Sequence, residues 1–488
     1  MRGDHGTVLD PVERVNAWTL TELPRLNQDI LAHRRPAGDL GGELARSVLA
    51  DLPRPESLTV PQARQLVVLL GLAGASLGRH YQELSLDHRA TPERAFDPYQ
   101  VGAEAVPFRA YFGRLADRTG TGHCHRDSYA ALTRWNVPTA EVWWEGERIA
   151  VLAGVFGDGL VRTYTGTADE RRFFELIKVS EAIEHAANAA LMPLSDTALD
   201  VRGSEALDRI RLAVLLLAEL RRVNARFAAL PPDEGLRAEY FMDVFRQYAV
   251  HWTLEDIPPS GALDPEAIAR DCLLGAQNPD YQAHTERIFP ALLGAERELL
   301  SRLMDRPSLP HIALRSLGID AAELAESSPA QLRKTVGRHP VLAALYLLLA
   351  AHARMSGVHL KIAQKYLFAP QRQREVAGLG DPHVVSNRYG TTGMDERYLQ
   401  QLTRTRQHHV LACLRILGGS ELDALAGLDP ARDPARDPAR DPARTAPADL
   451  GSLVRFSGPG PHQVAWLVGA EEPAKARNAR AVAAARGR

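Results

Sequence analysis

The chain has 488 residues, of which 45% are hydrophobic and 24% charged, a globular composition whose length predicts more than one domain. Lysine and arginine number 58 against 60 for aspartate and glutamate. The formal net charge is therefore only −2, which does not favour a nucleic acid or an anionic membrane as the partner. We expect the partner to be a small molecule.

The three cysteines are widely separated and odd in number, which argues against a disulfide framework and favours a reducing compartment. The first residues, MRGDHGTVLDPVERVN, lack the apolar stretch of an export signal. We expect a cytoplasmic protein.

Helical periodicity predicts a mainly α fold. Thr59 and Pro61 provide a helix start, and apolar residues follow at helical spacing: Leu66, Leu69, Leu70, Ala73 and Leu77. The segment from Glu205 to Phe227 has the same pattern. Residues Glu141–Arg162 instead combine β-branched and aromatic side chains with glycines, which predicts a hairpin.

The most apolar run, Val341–Ala353, is shorter than the roughly 20 residues that cross a bilayer, so we expect a buried helix and no membrane span. Four tandem DPAR units occupy Asp429–Arg444. The proline in each unit prevents regular helix or sheet pairing. We predict a disordered linker there and a tail outside the fold from Thr445 onward.

Two histidines share one face of the helix that continues from the apolar run. In HARMSGVHLKIAQKYLFAP, this face carries His352, Met355 or Ser356, His359, Ile362 or Ala363, and Tyr366. A neutral imidazole is a good iron ligand. A lone helical histidine is more often a satisfied core residue, so the pattern alone leaves both interpretations open.

A loop with small and hydroxyl residues follows this helix. It contains GTTG at Gly390–Gly393 and leads into another predicted helix. Such a turn lets backbone N–H groups approach an anion closely. An ordinary loop that ends in a helix cap would have the same composition.

Together these blocks resemble the tryptophan and indoleamine 2,3-dioxygenase-like heme superfamily. HLKIAQKYL from His359, followed 390 − 359 = 31 positions later by GTTG, is similar to its proximal-histidine helix and GTGG loop. FFELIKVSEAIEHAA from Phe173 resembles its distal helix. YFMDVFRQYAVHW from Tyr240 resembles the helix that bears its carboxylate-binding arginine. The order of the four blocks agrees.

Further blocks are similar to the monodechloroaminopyrrolnitrin synthase family within this superfamily: Thr133–Thr139, Arg162–Glu170 and Leu273–Leu293. The resemblance implies a mainly α, indoleamine 2,3-dioxygenase-like fold. We expect an N-terminal extension at 1–40, a small and mainly helical domain at 41–165, a large all-α heme domain at 166–425, and the DPAR linker and tail at 426–488.

The resemblance assigns the cofactor, heme b, to a few residues. It makes His359 the proximal iron ligand and places Phe174 and Ile177 on the opposite face of the porphyrin. Heme propionates need cations, and Arg354 and Lys365 lie near the ligand on the same helix.

The resemblance also makes Arg246 the residue that holds the carboxylate of an aromatic amino acid, because a planar guanidinium can donate two parallel hydrogen bonds. A surface Arg246 paired with Asp243 is the alternative. The other implied substrate contacts are Phe173, Phe241, Tyr248, Thr391, Ser128 and Tyr129.

The activity implied is that of a heme-dependent oxygenase. It would rearrange or oxygenate the indole of tryptophan or a substituted tryptophan with O2 or peroxide, as in antibiotic biosynthesis. Ring cleavage, hydroxylation of another aromatic amino acid, and a heme-free helical scaffold are the alternatives. The chain has GTTG for GTGG, Ile177 for a polar distal residue, and ALDPEAIARDCLLGAQNPDY for a Gly- and Ser-rich stretch. These departures argue against simple indole cleavage.

Two other metal sites are weaker hypotheses. His123, Cys124 and His125 form HCH, but no second ligand pair stands at zinc-finger spacing. Cys413 would give a thiolate-ligated heme, but it lies in the apolar run HVLACLRIL, as a buried structural thiol would.

Overall fold

The fold is mainly helical, which confirms the prediction from periodicity. The computed structural model describes residues 10–121, 125–196, 198–379, 383–385, 389–390, 392–428 and 453–458. The DPAR segment Asp429–Arg444 and most of the tail lie outside the described residues.

The helices lie in this order along the chain: α1 (Pro11–Leu31), α2 (Gly38–Ser47), α3 (Val60–Gln82), α4 (Leu86–Ala90), α5 (Phe108–Thr119), α6 (Ala168–Ser195), α7 (Ser204–Ala229), α8 (Ala238–Tyr240), α9 (Pro265–Leu274), α10 (Pro279–Ile288), α11 (Gly294–Met304), α12 (Leu309–Ser316), α13 (Ala321–Glu326), α14 (Pro329–Arg338), α15 (Pro340–Ala363), α16 (Ala369–Val376), α17 (Glu396–Gln407) and α18 (Gly419–Ala426). The predicted helix start is confirmed, because the Thr59 side chain caps α3 in a capping box with Gln62.

The strands are short. β1 (Gln100–Val101) pairs with β2 (Val106–Pro107), and β3 (Ala140–Trp144) pairs with β4 (Glu147–Leu152) and with β5 (Val454–Phe456), all antiparallel. The β3–β4 pair confirms the predicted hairpin, although it ends at Leu152. Its two turn residues, Glu145 and Gly146, have φ values of 50° and 87°, as a two-residue hairpin turn requires.

The C-terminal strand β5 corrects the prediction that everything from Thr445 onward lies outside the fold. Val454 lies opposite Val142 of β3 and is 1% exposed. A strand of three residues gives too little periodicity to be detected beside a proline-rich segment. Its pairing with β3 becomes visible only in three dimensions.

Two hydrophobic cores organise the helices. The first consists mainly of residues from α1, α2, α3 and α5, and it includes Val12, Val15 and Trp18 from the predicted N-terminal extension. The second contains α6, α7, α9 and α15. Within it, α6 and α15 both pack along α7, so α7 forms the floor beneath these two helices.

Two apolar helical stretches, Val60–Gln82 and Pro340–Val376, have the length and composition to cross a membrane. Of their most apolar windows, 72% and 78% respectively are buried inside the protein. The expectation that the second run is too short was wrong, because its helix continues past Ala353. The burial of this helix inside the protein is typical of a core helix.

Three π-helical turns occur in the described part of the chain: Ala130–Trp135, Phe241–Phe245 and Gln364–Phe368. Each contributes residues to the wall of one cavity, among them Leu132, Phe241 and Tyr366. π-Helical turns inside helices often occur at functional sites. Their convergence on one cavity indicates that this cavity is a candidate functional site.

Candidate functional site

A cavity of about 380 Å³ is lined by residues of both α6 and α15. This volume lies in the range of small-molecule sites. Phe173, Ile177, Ser180 and Glu184 line it from α6, at the three- and four-residue spacing of one helical face. The α15 side contributes the face that the sequence predicted, including His352, Ser356 and His359.

One end of the cavity, here called the aromatic end, is built from a cluster of rings. The centroid of the Phe173 ring lies 5.4 Å from that of Phe241 and 5.2 Å from that of Phe245. The Phe174 and Phe245 centroids are 5.4 Å apart. Such tilted and edge-on pairs add to the stabilisation from burial. The aromatic end therefore offers a rigid apolar surface for a flat ligand.

Tyr248 also lines the cavity, and its ring is held on both faces. The Tyr164 ring stacks on it at a centroid distance of 4.1 Å, and the Arg79 guanidinium lies 4.4 Å from its centre. These two contacts fix the position of the Tyr248 ring in the cavity wall.

His359 lies near the C-terminal end of α15, and its side chain lines the cavity. No hydrogen bond or ion pair of its ring occurs within the described ranges. Burial among protein groups lowers the pKa of His359, and the charge of Arg406 lowers it further. The imidazole is thus favoured in its neutral form, which is the form that binds metals.

His352, the other candidate histidine, has both ring nitrogens engaged. Its Nδ1 accepts a hydrogen bond from Arg270 Nε at 3.0 Å, and its Nε2 donates to Asp271 Oδ1 at 2.8 Å. Burial lowers the pKa of His352 to about 4, so the ring is neutral with its proton on Nε2. His352 is therefore the satisfied core histidine.

Asp271 is the centre of this buried network. Besides His352, it accepts hydrogen bonds from Arg406 Nε at 2.8 Å and from Tyr281 Oη at 2.8 Å. Arg406 Nη1 continues to Ser356 Oγ at 2.6 Å, one helical turn before His359. Burial opposes ionisation of Asp271, but the charge of Arg406 and the hydrogen bond from His352 outweigh it and hold the pKa far below its usual range.

Arg246 lies between the cavity and a second recess of about 450 Å³, and it lines both. It is 9% exposed, and its Nη2 donates to the Tyr389 carbonyl. Both carboxylate oxygens of Asp243 accept hydrogen bonds from Arg374 Nη2 at 2.7 Å. Asp243 Oδ1 also lies 3.0 Å from His383 Nε2. Arg246 thus belongs to the walls of both the cavity and the recess.

The cations predicted for heme propionates do not line the cavity. Lys365 Nζ donates to the carbonyls of Ala228 at 2.8 Å and Leu230 at 3.2 Å, at the end of α7. Arg354 is exposed, because five residues before His359 places it roughly 140° away around the helix. Binding of a propionate by Arg354 or Lys365 stays a prediction. Sequence proximity to the ligand did not imply a shared helix face.

The other predicted site residues divide into three groups. Tyr129 lines the cavity, as do Phe173, Phe174, Ile177, Phe241 and Tyr248. Ser128 is buried, but its Oγ accepts from the Ala131 N–H at 3.2 Å and it does not line the cavity. Thr391 lies outside the described residues, although its neighbours Gly390 and Thr392 are lining residues.

The loop that bears GTTG forms a closed turn. The Gly393 N–H donates to the Gly390 carbonyl at 2.8 Å, and the Gly390 N–H donates to the Met394 carbonyl at 2.8 Å. Gly393 has φ of 85°, where glycine is favoured. The N–H groups of Gly390 and Gly393 are therefore engaged within the loop, and the approach of other backbone N–H groups of this loop to an anion stays a prediction.

Two residues of the predicted HCH zinc site, His123 and Cys124, lie outside the described residues. His125 is exposed, and its Nε2 lies 3.2 Å from Asp117. Cys413 is half-buried, and burial raises the pKa of its thiol. A protonated thiol at this position is typical of a structural cysteine.

Sequence reasoning missed the polar side chains of the cavity wall: Glu184, Asp264, Arg270, Asp271 and Arg406. Arg406 follows other arginines in RTRQ, and Asp271 lies in the interval that departs from the resembled superfamily. Spacing within one helix cannot reveal a cavity wall whose polar residues come from three different helices, α6, α9 and α17. A charged residue inside an apolar helical face, as at Asp271, was the available signal.

No protein-family model matches this chain, and no curated protein matches it.

The network predicts a large stability cost at Asp271. Asp271→Ala should lower the free energy of unfolding by about 3–5 kcal/mol, because it leaves the buried Arg406 charge without its partner. Urea unfolding followed by circular dichroism measures this change. Asp208→Ala is the matched control, since its carboxylate contacts Arg211 at 2.9 Å but is 68% exposed, and it should cost less than about 1 kcal/mol. Equal losses in the two variants would contradict the role of Asp271.

Proposed function

We propose that this chain is a heme-dependent oxygenase of the tryptophan and indoleamine 2,3-dioxygenase-like superfamily, with His359 as the proximal ligand. The observation that carries the proposal is the contrast between two histidines on one helix face. His352 has both nitrogens engaged, whereas the His359 ring faces the cavity with no hydrogen-bond partner among the described residues.

The residues of the cavity suit a heme. The aromatic end and Ile177 provide apolar contacts on the α6 side, opposite the α15 face that bears His359. Arg406 also lines the cavity, but its guanidinium is already engaged by Asp271 and Ser356. No CxxCH attachment motif occurs in the sequence, so the heme would be of the non-covalent b type. When bound, this group would supply the iron at which O2 or peroxide is activated.

The protein's own side chains would bind and orient the substrate. Arg246, at the boundary of the cavity, suits the carboxylate of an aromatic amino acid because its guanidinium carries parallel donors. The adjacent Phe241 and Phe245 rings would pack against the substrate ring. Ile177 has no proton to donate, so a polar contact from α6 would come from Ser180 or Glu184, which also line the cavity. The substrate that fits is tryptophan or a ring-substituted tryptophan, and its indole would be rearranged or oxygenated.

Removal of the proposed ligand should remove the heme spectrum. His359→Ala is expected to lose the tight Soret band, because the cavity then lacks an imidazole for the iron, and added imidazole should restore it. Absorption spectra of the purified variants measure this. A circular dichroism melt establishes that each variant is folded. Full heme content with an unchanged spectrum in His359→Ala, alongside loss of the band in His352→Ala, would show that the other histidine is the ligand.

Substrate recognition gives a separate test at Arg246. Arg246→Ala should weaken tryptophan binding by about 30-fold or more, because the carboxylate loses a charge-assisted partner, while the heme spectrum of the free protein stays intact. Spectral titration with tryptophan measures the affinity. Arg333→Ala is the control, since its Nε pairs with Glu421 at 2.7 Å on the protein surface.

Tryptamine, which has no carboxylate, should bind parent and Arg246→Ala equally well. Equal tryptophan affinity in the two proteins would exclude the carboxylate role. A response to tyrosine in a parent protein that ignores tryptophan would retain the heme and change the substrate.

A further inference from the structure

The end of the cavity away from the aromatic cluster, here called the inner end, carries two carboxyl groups side by side. Glu184 projects from α6, and Asp264 caps the N-terminus of α9. Both line the cavity, and their carboxyl groups lie within hydrogen-bond reach of each other. Glu184 stands eleven residues after Phe173 on α6, which separates the two ends by roughly 16 Å.

One oxygen of each carboxyl group is already occupied. Asp264 Oδ1 accepts the N–H groups of Glu266 at 2.9 Å and Ala267 at 3.2 Å. Glu184 Oε1 forms an ion pair with Arg270 Nη1 at 2.8 Å. Glu184 is 4% exposed, and its Oε2 has no hydrogen-bond donor among the described residues. A proton shared by the two carboxyl groups would supply the hydrogen bond that Glu184 Oε2 otherwise lacks.

Two carboxylates in contact repel each other, so one of them retains a proton. Burial raises the pKa of Asp264 well above its usual range, and the negative charges of Glu184 and Glu181 raise it further. The pair therefore holds one proton between its two carboxyl groups.

The groups around the pair leave it short of positive charge. Arg134 is shared by three carboxylates: Glu181, Glu266 and Glu296. Arg270 is already paired with Glu184 and donates to His352. Tyr129, which also lines the cavity, is uncharged and has a hydroxyl without a partner in the described part of the chain. Arg406, whose charge also acts on Glu184, is paired with Asp271. A second negative charge on the pair would thus need a cation from outside the protein.

We propose that the inner end is a subsite for a protonated amine, which binds in exchange for the proton that Asp264 and Glu184 share. On binding, both groups become carboxylates, the ammonium group supplies the counter-charge that Arg270 alone does not provide, and one proton passes to the solvent. The amine is not the α-amine of a ligand held by Arg246, because that group stands next to the carboxylate. The subsite does not depend on heme.

Calorimetric titration of the full chain with tryptamine tests this subsite. Measurement at pH 7 in two buffers of different ionisation enthalpy gives the number of protons released. We expect about one proton for each tryptamine bound, and none with 3-methylindole, which has the same ring without the amine. Asp264→Asn should abolish proton release and weaken tryptamine binding by about 30-fold or more, because asparagine keeps the helix cap but cannot ionise.

Asp320→Asn is the matched control, since Asp320 caps α13 through the Ala322 and Glu323 N–H groups and is exposed. It should release the same proton as the parent. Binding without proton release, equal release in Asp264→Asn, or no tryptamine binding would overturn the proposal. Proton release by a chain that binds no heme would support the subsite and contradict only the proposed cofactor.

Discussion

Asp271 is buried and ionised, and side chains from three other helices converge on it. His352 of α15, Arg406 of α17 and Tyr281 of α10 all donate to its carboxylate, and Asp271 itself lies on α9. An unpaired charge at this position would cost several kcal/mol, so the three partners and the acid require one another. The network fixes the cavity wall and occupies His352. His359 remains as the cavity-lining histidine whose ring nitrogens have no partner among the described residues.

Much of the fold follows from local sequence patterns. The capped start of α3, the long α7 helix and the β3–β4 hairpin each have a signal within one segment, and the structure confirms them. The shared face of His352 and His359 was also predictable, because helical spacing alone determines it. Sequence spacing could not tell which of the two histidines has hydrogen-bond partners on both ring nitrogens. The partners of His352 are 81 and 82 positions away in the chain.

The features that sequence reasoning missed depend on contacts between distant segments. β5 pairs with a strand more than three hundred positions earlier, and three residues carry no usable periodicity. Lys365 was assigned to the cofactor from its nearness in sequence, yet its ammonium group satisfies carbonyls at the end of α7. The Asp264–Glu184 pair joins a helix cap to the middle of another helix. Each residue alone has an ordinary local explanation.

The central claim is that a histidine nitrogen of this chain binds heme iron in the cavity between α6 and α15. Resonance Raman spectroscopy of the ferrous protein tests it most directly, because iron–imidazole bonds give their own stretching band. The account predicts this band in the heme-loaded parent and its displacement when the imidazole is labelled by supplying ¹⁵N-histidine. A heme-loaded ferrous protein without a label-sensitive iron–histidine band, or a purified chain that retains no heme, would contradict the account.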